Sequence, residues 1–184
     1  EVNAGDTIFQ GEEGLTFNDT DFGTQQLSGQ SGNAEGLVLT SPIPTTQTPG
    51  TYGANSNTTT LTEPKITTFE VQNSDGNDVS ESTLLIPDSA GNEQVLVEDN
   101  FGAAEDIELT VTDEDGLDVT NEWTSNPTNS TDSSATITID STNVDTGVYT
   151  FTVAGAGDLD FGEATQSTTV TVIDDESATV SIDR

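Results

Sequence analysis

Charge constrains this chain more than any other feature of its sequence. It carries 34 Asp and Glu against 2 Lys and Arg and no His, a formal net charge of -32 over 184 residues. The two cations are Lys65 and Arg184. Such a chain cannot neutralise its carboxylates internally, and in dilute buffer its self-repulsion opposes any compact state. Low hydrophobicity with high net charge ordinarily marks disorder, yet the sequence is full of ordered β patterns. The two facts agree where salt screens charge, since the Debye length is only about 3 Å at 1 M. The expectation is an extracellular, high-salt protein with cation-solvated carboxylates.

The same composition removes whole classes of chemistry. Without Cys there is no disulfide, zinc thiolate or thiol nucleophile. Without His there is no His general base and no Ser–His–Asp triad. Phosphate binding needs clustered Lys and Arg, so nucleic acid and anionic membrane surfaces are excluded as partners. Apolar runs are short, the longest being of the kind Leu84-Leu85-Ile86, far below the roughly 20 residues of a membrane-spanning helix. Paired carboxylates of the glycosidase type carry no signal among so many acids.

Period-2 alternation is clear in the second half. Ile107, Leu109 and Val111 alternate with Glu108, Thr110 and Thr112; Ile137 and Ile139 with Thr136 and Thr138; Tyr149, Phe151 and Val153 with Thr150 and Thr152; Val170 and Val172 with Thr169 and Thr171. Half-polar runs of this length read as antiparallel strands with one wet face. Asp75-Gly76, Asp115-Gly116 and Gly155-Ala156-Gly157-Asp158 supply the turns. Helix signals are nearly missing. The chain is thus expected to be all-β, with tandem immunoglobulin-like β-sandwich domains.

Roughly seven strands between Lys65 and Ile173 suit one such sandwich. Asp145-Thr146-Gly147-Val148-Tyr149 has the form of a tyrosine corner, in which the phenol bonds back to nearby backbone. Trp123 is a candidate core plug whose indole needs a partner if buried. The first 63 residues are expected to form a small immunoglobulin-like β domain built on Ile8-Phe9, Leu15, Phe17, Leu37, Leu39 and Tyr52. Gln47 to Thr62 reads as loop or linker composition. Residues 64–175 form the second domain, and 176–184 begin a further domain or a tail, since Ala178 to Ile182 starts a new alternation.

Three Asn-x-Ser/Thr triplets are candidate glycan acceptors: Asn18-Asp19-Thr20, Asn57-Thr58-Thr59 and Asn129-Ser130-Thr131. Asn126 is followed by Pro127 and is excluded. Candidate Ca²⁺ ligands are the acid clusters Asp174, Asp175 and Glu176, then Asp158 and Asp160, then Asp113 and Asp115, because hard cations seek several oxygens on turns. Asp113-x-Asp115-Gly116-x-Asp118 begins like an EF-hand loop but fails at Leu117 and Thr124. Solvated acid is the competing reading for all three.

Several segments together resemble the haloarchaeal S-layer glycoproteins. They are Gly5-Asp6-Thr7-Ile8-Phe9-Gln10-Gly11-Glu12-Glu13, Ser41-Pro42-Ile43-Pro44 with Gly50-Thr51-Tyr52, Pro64-Lys65-Ile66-Thr67, Asp118-Val119-Thr120-Asn121-Glu122, and Asp158-Leu159-Asp160-Phe161-Gly162-Glu163-Ala164-Thr165. They run in order across nearly the whole chain. The resemblance implies a secreted, N-glycosylated surface protein of serial immunoglobulin-like domains, its first two represented here. It implies self-assembly of hexameric units into a lattice, and a membrane contact only through a C-terminal anchor not present in this sequence. It also places Asn57 where the family carries a glycan upstream of the Pro-Lys-Ile segment. A cell-surface adhesin or extracellular filament subunit is the alternative; an enzyme has little support.

Overall fold

Strand alternation in the sequence becomes strand alternation in space. A computed structural model describes residues 1–86, 91–102, 104–129 and 133–174. Its strands are β1 (Thr7–Phe9), β2 (Ser28–Gly29), β3 (Gly50–Ala54), β4 (Asn57–Thr62), β5 (Ile66–Gln72), β6 (Thr83–Ile86), β7 (Gln94–Asp99), β8 (Ile107–Thr112), β9 (Thr128–Asn129), β10 (Ser134–Thr138), β11 (Gly147–Gly155) and β12 (Gln166–Asp174). Two single-turn helices, α1 (Asp19–Phe22) and α2 (Thr120–Trp123), are the α content of the described residues. The fold is all-β, as expected.

In the second half two sheets face each other. One has the order β10-β7-β5, the other β6-β12-β11-β8-β9. On β8, Ile107, Leu109 and Val111 are buried while Glu108 is exposed. Along β11, Tyr149, Phe151 and Val153 point inward. These residues close one core with Val95, Val97, Ile137, Val170 and Val172. Trp123 sits in its middle at 1% exposure, with its ring edge-on to Tyr149 at 5.1 Å and to Phe151 at 4.8 Å. Such edge-to-face aromatic contacts stabilise beyond area burial, typically by about 0.5–1.5 kcal/mol. The chain enters the three-stranded sheet as β5 and then crosses to the other sheet, where β6 runs parallel to β12.

The first half is built differently. Its β structure is one four-stranded sheet, β1-β4-β3-β2, with β1 parallel to β4; the two-sheet layering lies in the second half. The Gln47–Thr62 segment, expected as a linker, is instead the central hairpin of this sheet. Its run of Thr is β-branched and suits a strand. Thr59 is 1% exposed, and its hydroxyl donates to the Asp6 carbonyl at 2.7 Å. Asn55 and Ser56, with φ of 51° and 73°, make the left-handed two-residue turn that matches strand twist. Val2, Ile8, Phe22, Leu27, Ile43, Tyr52 and Leu61 form the core of this half.

Strand β1 serves both cores. Successive strand residues face opposite ways, so Ile8 packs into the first core while Phe9 joins the second. There the Phe9 ring meets Phe101 edge-on at 6.4 Å. Asn100 fastens the connecting segment: its Nδ2 donates to the Glu63 carbonyl at 3.0 Å, and its Oδ1 accepts from the Lys65 N–H at 2.8 Å. Gly11 (φ +84°) leaves room for Phe161, since a Cβ there would stand 2.5 Å from the ring.

Candidate functional site

Each candidate glycan acceptor has its amide already engaged. Asn18 caps α1: its Oδ1 accepts from the Thr20 N–H at 2.8 Å, and its Nδ2 donates to Asn3 Oδ1 at 3.1 Å. Asn57 opens β4, and its Nδ2 donates to the Asp21 carbonyl at 2.7 Å. The Nδ2 of Asn129, on β9, donates to the Thr136 carbonyl at 2.7 Å. All three are half-buried. An amide nitrogen carries two N–H groups, so each keeps one for an attached sugar. Ser130 and Thr131, the remainder of the third triplet, lie outside the described residues.

The Asp113–Asp118 acids turn out to be turn chemistry. Asp113 Oδ1 accepts from the Asp115 and Leu117 N–H groups at 3.0 and 2.9 Å. Asp118 Oδ1 accepts from the Thr120 hydroxyl at 2.6 Å and its N–H at 2.9 Å. These bonds, the hydroxyl's first, pull the Asp118 carboxyl below its ordinary range. Asp115 projects from the same loop and is exposed.

That loop occurs twice. Val71-Gln72-Asn73-Ser74-Asp75-Gly76-Asn77-Asp78-Val79-Ser80 follows the pattern of Val111-Thr112-Asp113-Glu114-Asp115-Gly116-Leu117-Asp118-Val119-Thr120. Asn73 Oδ1 takes the Asp75 and Asn77 N–H groups at 3.1 and 2.9 Å, as Asp113 does. Gly76 and Gly116 share a φ of 79° and 78°. Ser80 Oγ accepts from the Val71 N–H at 3.0 Å, and Thr120 Oγ1 from Val111 at 2.8 Å. Both loops therefore fold back at the end of a strand, β5 or β8, and seal its last core residue. The sequence signal was an internal repeat, which the turn dipeptides alone did not reveal.

Asp158 and Asp160 flank Leu159, which is buried. The Leu159 N–H donates to Glu105 Oε2 at 2.8 Å, while the buried Glu105 Oε1 has no partner. Burial, opposed by that hydrogen bond and reinforced by the nearby Asp158 and Asp160 charges, pushes the Glu105 carboxyl up. Glu93 is the most enclosed acid among the described residues, at 1% exposure, and Ser141 supplies both its hydroxyl and its N–H to it at 2.9 Å. Burial outweighs those bonds and raises its pKa; burial likewise raises Glu12. Sequence reasoning did not single out Glu12, Glu93 or Glu105, because nothing local distinguishes a buried acid from the rest of the 34.

Asp174 ends β12, while Asp175 and Glu176 lie outside the described residues. Among the described residues no group of three acids is placed to hold a metal ion. The calcium expectation thus gains no assembled cage from Asp113 and Asp115 or from Asp158 and Asp160.

A groove of about 440 Å³ runs between α2, β9 and β10. Asn121, Asn126, Asn129, Thr136 and Thr138 give it a polar lining, and Trp123 also borders it. The indole Nε1–H of Trp123 is buried and lacks a hydrogen-bond partner.

No protein-family model matches the chain. Over 99% of its length it is 39% identical to the cell surface glycoprotein of Haloarcula japonica. It is 38% identical to the proteins of the same name from Halobacterium salinarum, over 98% of its length, and Haloarcula marismortui, over 100%. The chain spans about a quarter of the length of these curated relatives, at 23–25% of each.

Proposed function

The chain is a homologue of the haloarchaeal cell surface glycoproteins, and from that kinship we propose that it is a non-catalytic structural unit of an N-glycosylated, self-assembling S-layer. Its place is extracellular, at the cell surface. The observation that carries the reading is identity of 38–39% along nearly the entire chain to several surface glycoproteins. A local motif match would not extend through both halves and the segment that joins them.

The physical character of the molecule supports a working place in brine. A net charge of -32 needs dense counterions. In this reading the units assemble with copies of themselves, hexameric by family resemblance. Glycans sit on Asn18, Asn57 and Asn129. Ca²⁺ acts structurally, at Asp174, Asp175 and Glu176 before any other acids.

Electron micrographs of native envelopes test the reading. A periodic sheet labelled by antibody to this chain is the expected result. Labelled isolated fibres would instead make it a filament or adhesin subunit.

A further inference from the structure

We propose that a saccharide joined to Asn129 lies in the groove between β9 and β10 and shields the uncharged outer edge of β10. The inference rests on the reading that the chain is N-glycosylated.

Among the described residues, strand β10 ends the three-stranded sheet: one side of it pairs with β7, and no described strand pairs with the other. From Ser133 to Ile139 it carries no charged residue, in a chain where acids are otherwise frequent. Exposed, uncharged strand edges are templates for pairing with other chains, and natural sheets guard them with charge, Pro or a cover. Here the guard is a side chain. The outward Thr136 carbonyl accepts a 2.7 Å hydrogen bond from Asn129 Nδ2. The nitrogen a sugar would occupy is therefore already fixed against the edge that needs cover.

The chemistry of attachment keeps this contact. An activated sugar, a glycosyl phosphate, loses its C1–O bond to phosphate as Nδ2 bonds to C1, and the displaced amide proton leaves with the phosphate. The second N–H stays on Thr136. From Nδ2 the sugar enters the groove, whose Asn and Thr lining suits hydroxyl groups. At its border the buried indole Nε1–H of Trp123 has no hydrogen-bond partner. Leaving such a donor unpaired is costly, and a sugar oxygen would satisfy it.

The test uses ¹⁵N-labelled protein expressed in a haloarchaeal host that glycosylates it, as wild type, Thr131→Ala and Thr131→Ser. The Ala variant removes the triplet's hydroxyl but keeps Asn129 and its bond to Thr136, while the Ser variant keeps the triplet. Trp123 is the sole tryptophan, so one indole resonance reports on the groove. We expect glycopeptide mass spectrometry to find sugar on Asn129 in wild type and Thr131→Ser. Nuclear Overhauser contacts should join the indole to sugar protons, and indole exchange should be about tenfold faster in Thr131→Ala, with self-association by light scattering.

An unmodified Asn129 in wild type overturns the proposal. So does a modified Asn129 without indole–sugar contacts, and that measurement needs no variant. Identical exchange and association in all three proteins overturns it too. The lattice reading fails separately: fibres bearing sugar in this groove would refute the lattice and leave this inference standing.

Discussion

Tyr52 and Tyr149, the two tyrosines of the chain, close the same corner in different halves. Each phenol donates to the backbone carbonyl four residues back, Tyr52 to Thr48 at 2.6 Å and Tyr149 to Asp145 at 2.9 Å. Each is preceded at two residues by Gly, Gly50 or Gly147. Only the second is legible in the sequence as a corner, through its Asp-x-Gly-x-Tyr form. Replacing either by Phe should lower stability in high salt by about 0.5–1.5 kcal/mol, the net worth of one hydrogen bond. The double variant should show the sum, because the two rings lie in separate cores. Denaturant titrations at constant ionic strength measure this, and an unmoved midpoint for either single variant would refute that corner's role.

Phe9→Ala should do more than remove a ring. Large-to-small changes of buried Phe cost about 3–5 kcal/mol, and this ring is borrowed by the second core from a strand of the first sheet. Scanning calorimetry in multimolar salt should show one transition for wild type and two for the variant. Ile8→Ala, confined to the first core, should keep a single transition at a lower temperature. A single transition in Phe9→Ala would show that other contacts couple the halves.

Acid should stabilise the protein before it destabilises it. Burial raises Glu12, Glu93 and Glu105 above the ordinary glutamate value of 4.5. The folded state then binds more protons than the unfolded one, so stability falls as pH rises from 4.5 through their folded values. Hydrogen bonds depress Asp118 and Asp140 below 3.8, so their contribution is present above 3.8 and lost as pH falls further. Melting midpoints in high salt should therefore rise from neutral pH toward about 4.5 and drop below about 3.8. Glu93→Gln should flatten the rise; a midpoint highest at neutral pH would contradict the scheme.

Dilution should unfold the chain. With -32 charges and two cations, self-repulsion is screened only when the Debye length falls to a few Å. The one ion pair found among the described residues, Lys65 to Glu163 at 2.6 Å, is exposed and contributes little. Far-UV circular dichroism should show β structure in multimolar KCl and its loss in dilute buffer. A cooperative β signal persisting in dilute, divalent-free buffer would refute the dependence.

Local pattern determined what local pattern can. The alternation around Ile107, Tyr149 and Val170 announced β8, β11 and β12, because a sheet with one wet face writes a period of two into its strands. Composition alone required screening and removed thiol, imidazole and phosphate-binding chemistry. The corner at Tyr149 and the plug at Trp123 were legible too, since each has a short sequence signature. Tertiary structure decided the rest. The parallel pairing of β1 with β4 joins Thr7 to Thr60, and that of β6 with β12 joins Leu84 to Val172; such pairings leave no mark in either strand. Thr-rich residues 57–62 looked like a linker, and neighbours distant in sequence made them a central strand. The destinations of Ile8 and Phe9 differ although they are adjacent, because each face of β1 meets a different core. Likewise Glu93 and Asn129 owe their importance to Ser141 and Thr136, partners that only the closed sandwich brings within hydrogen-bond reach.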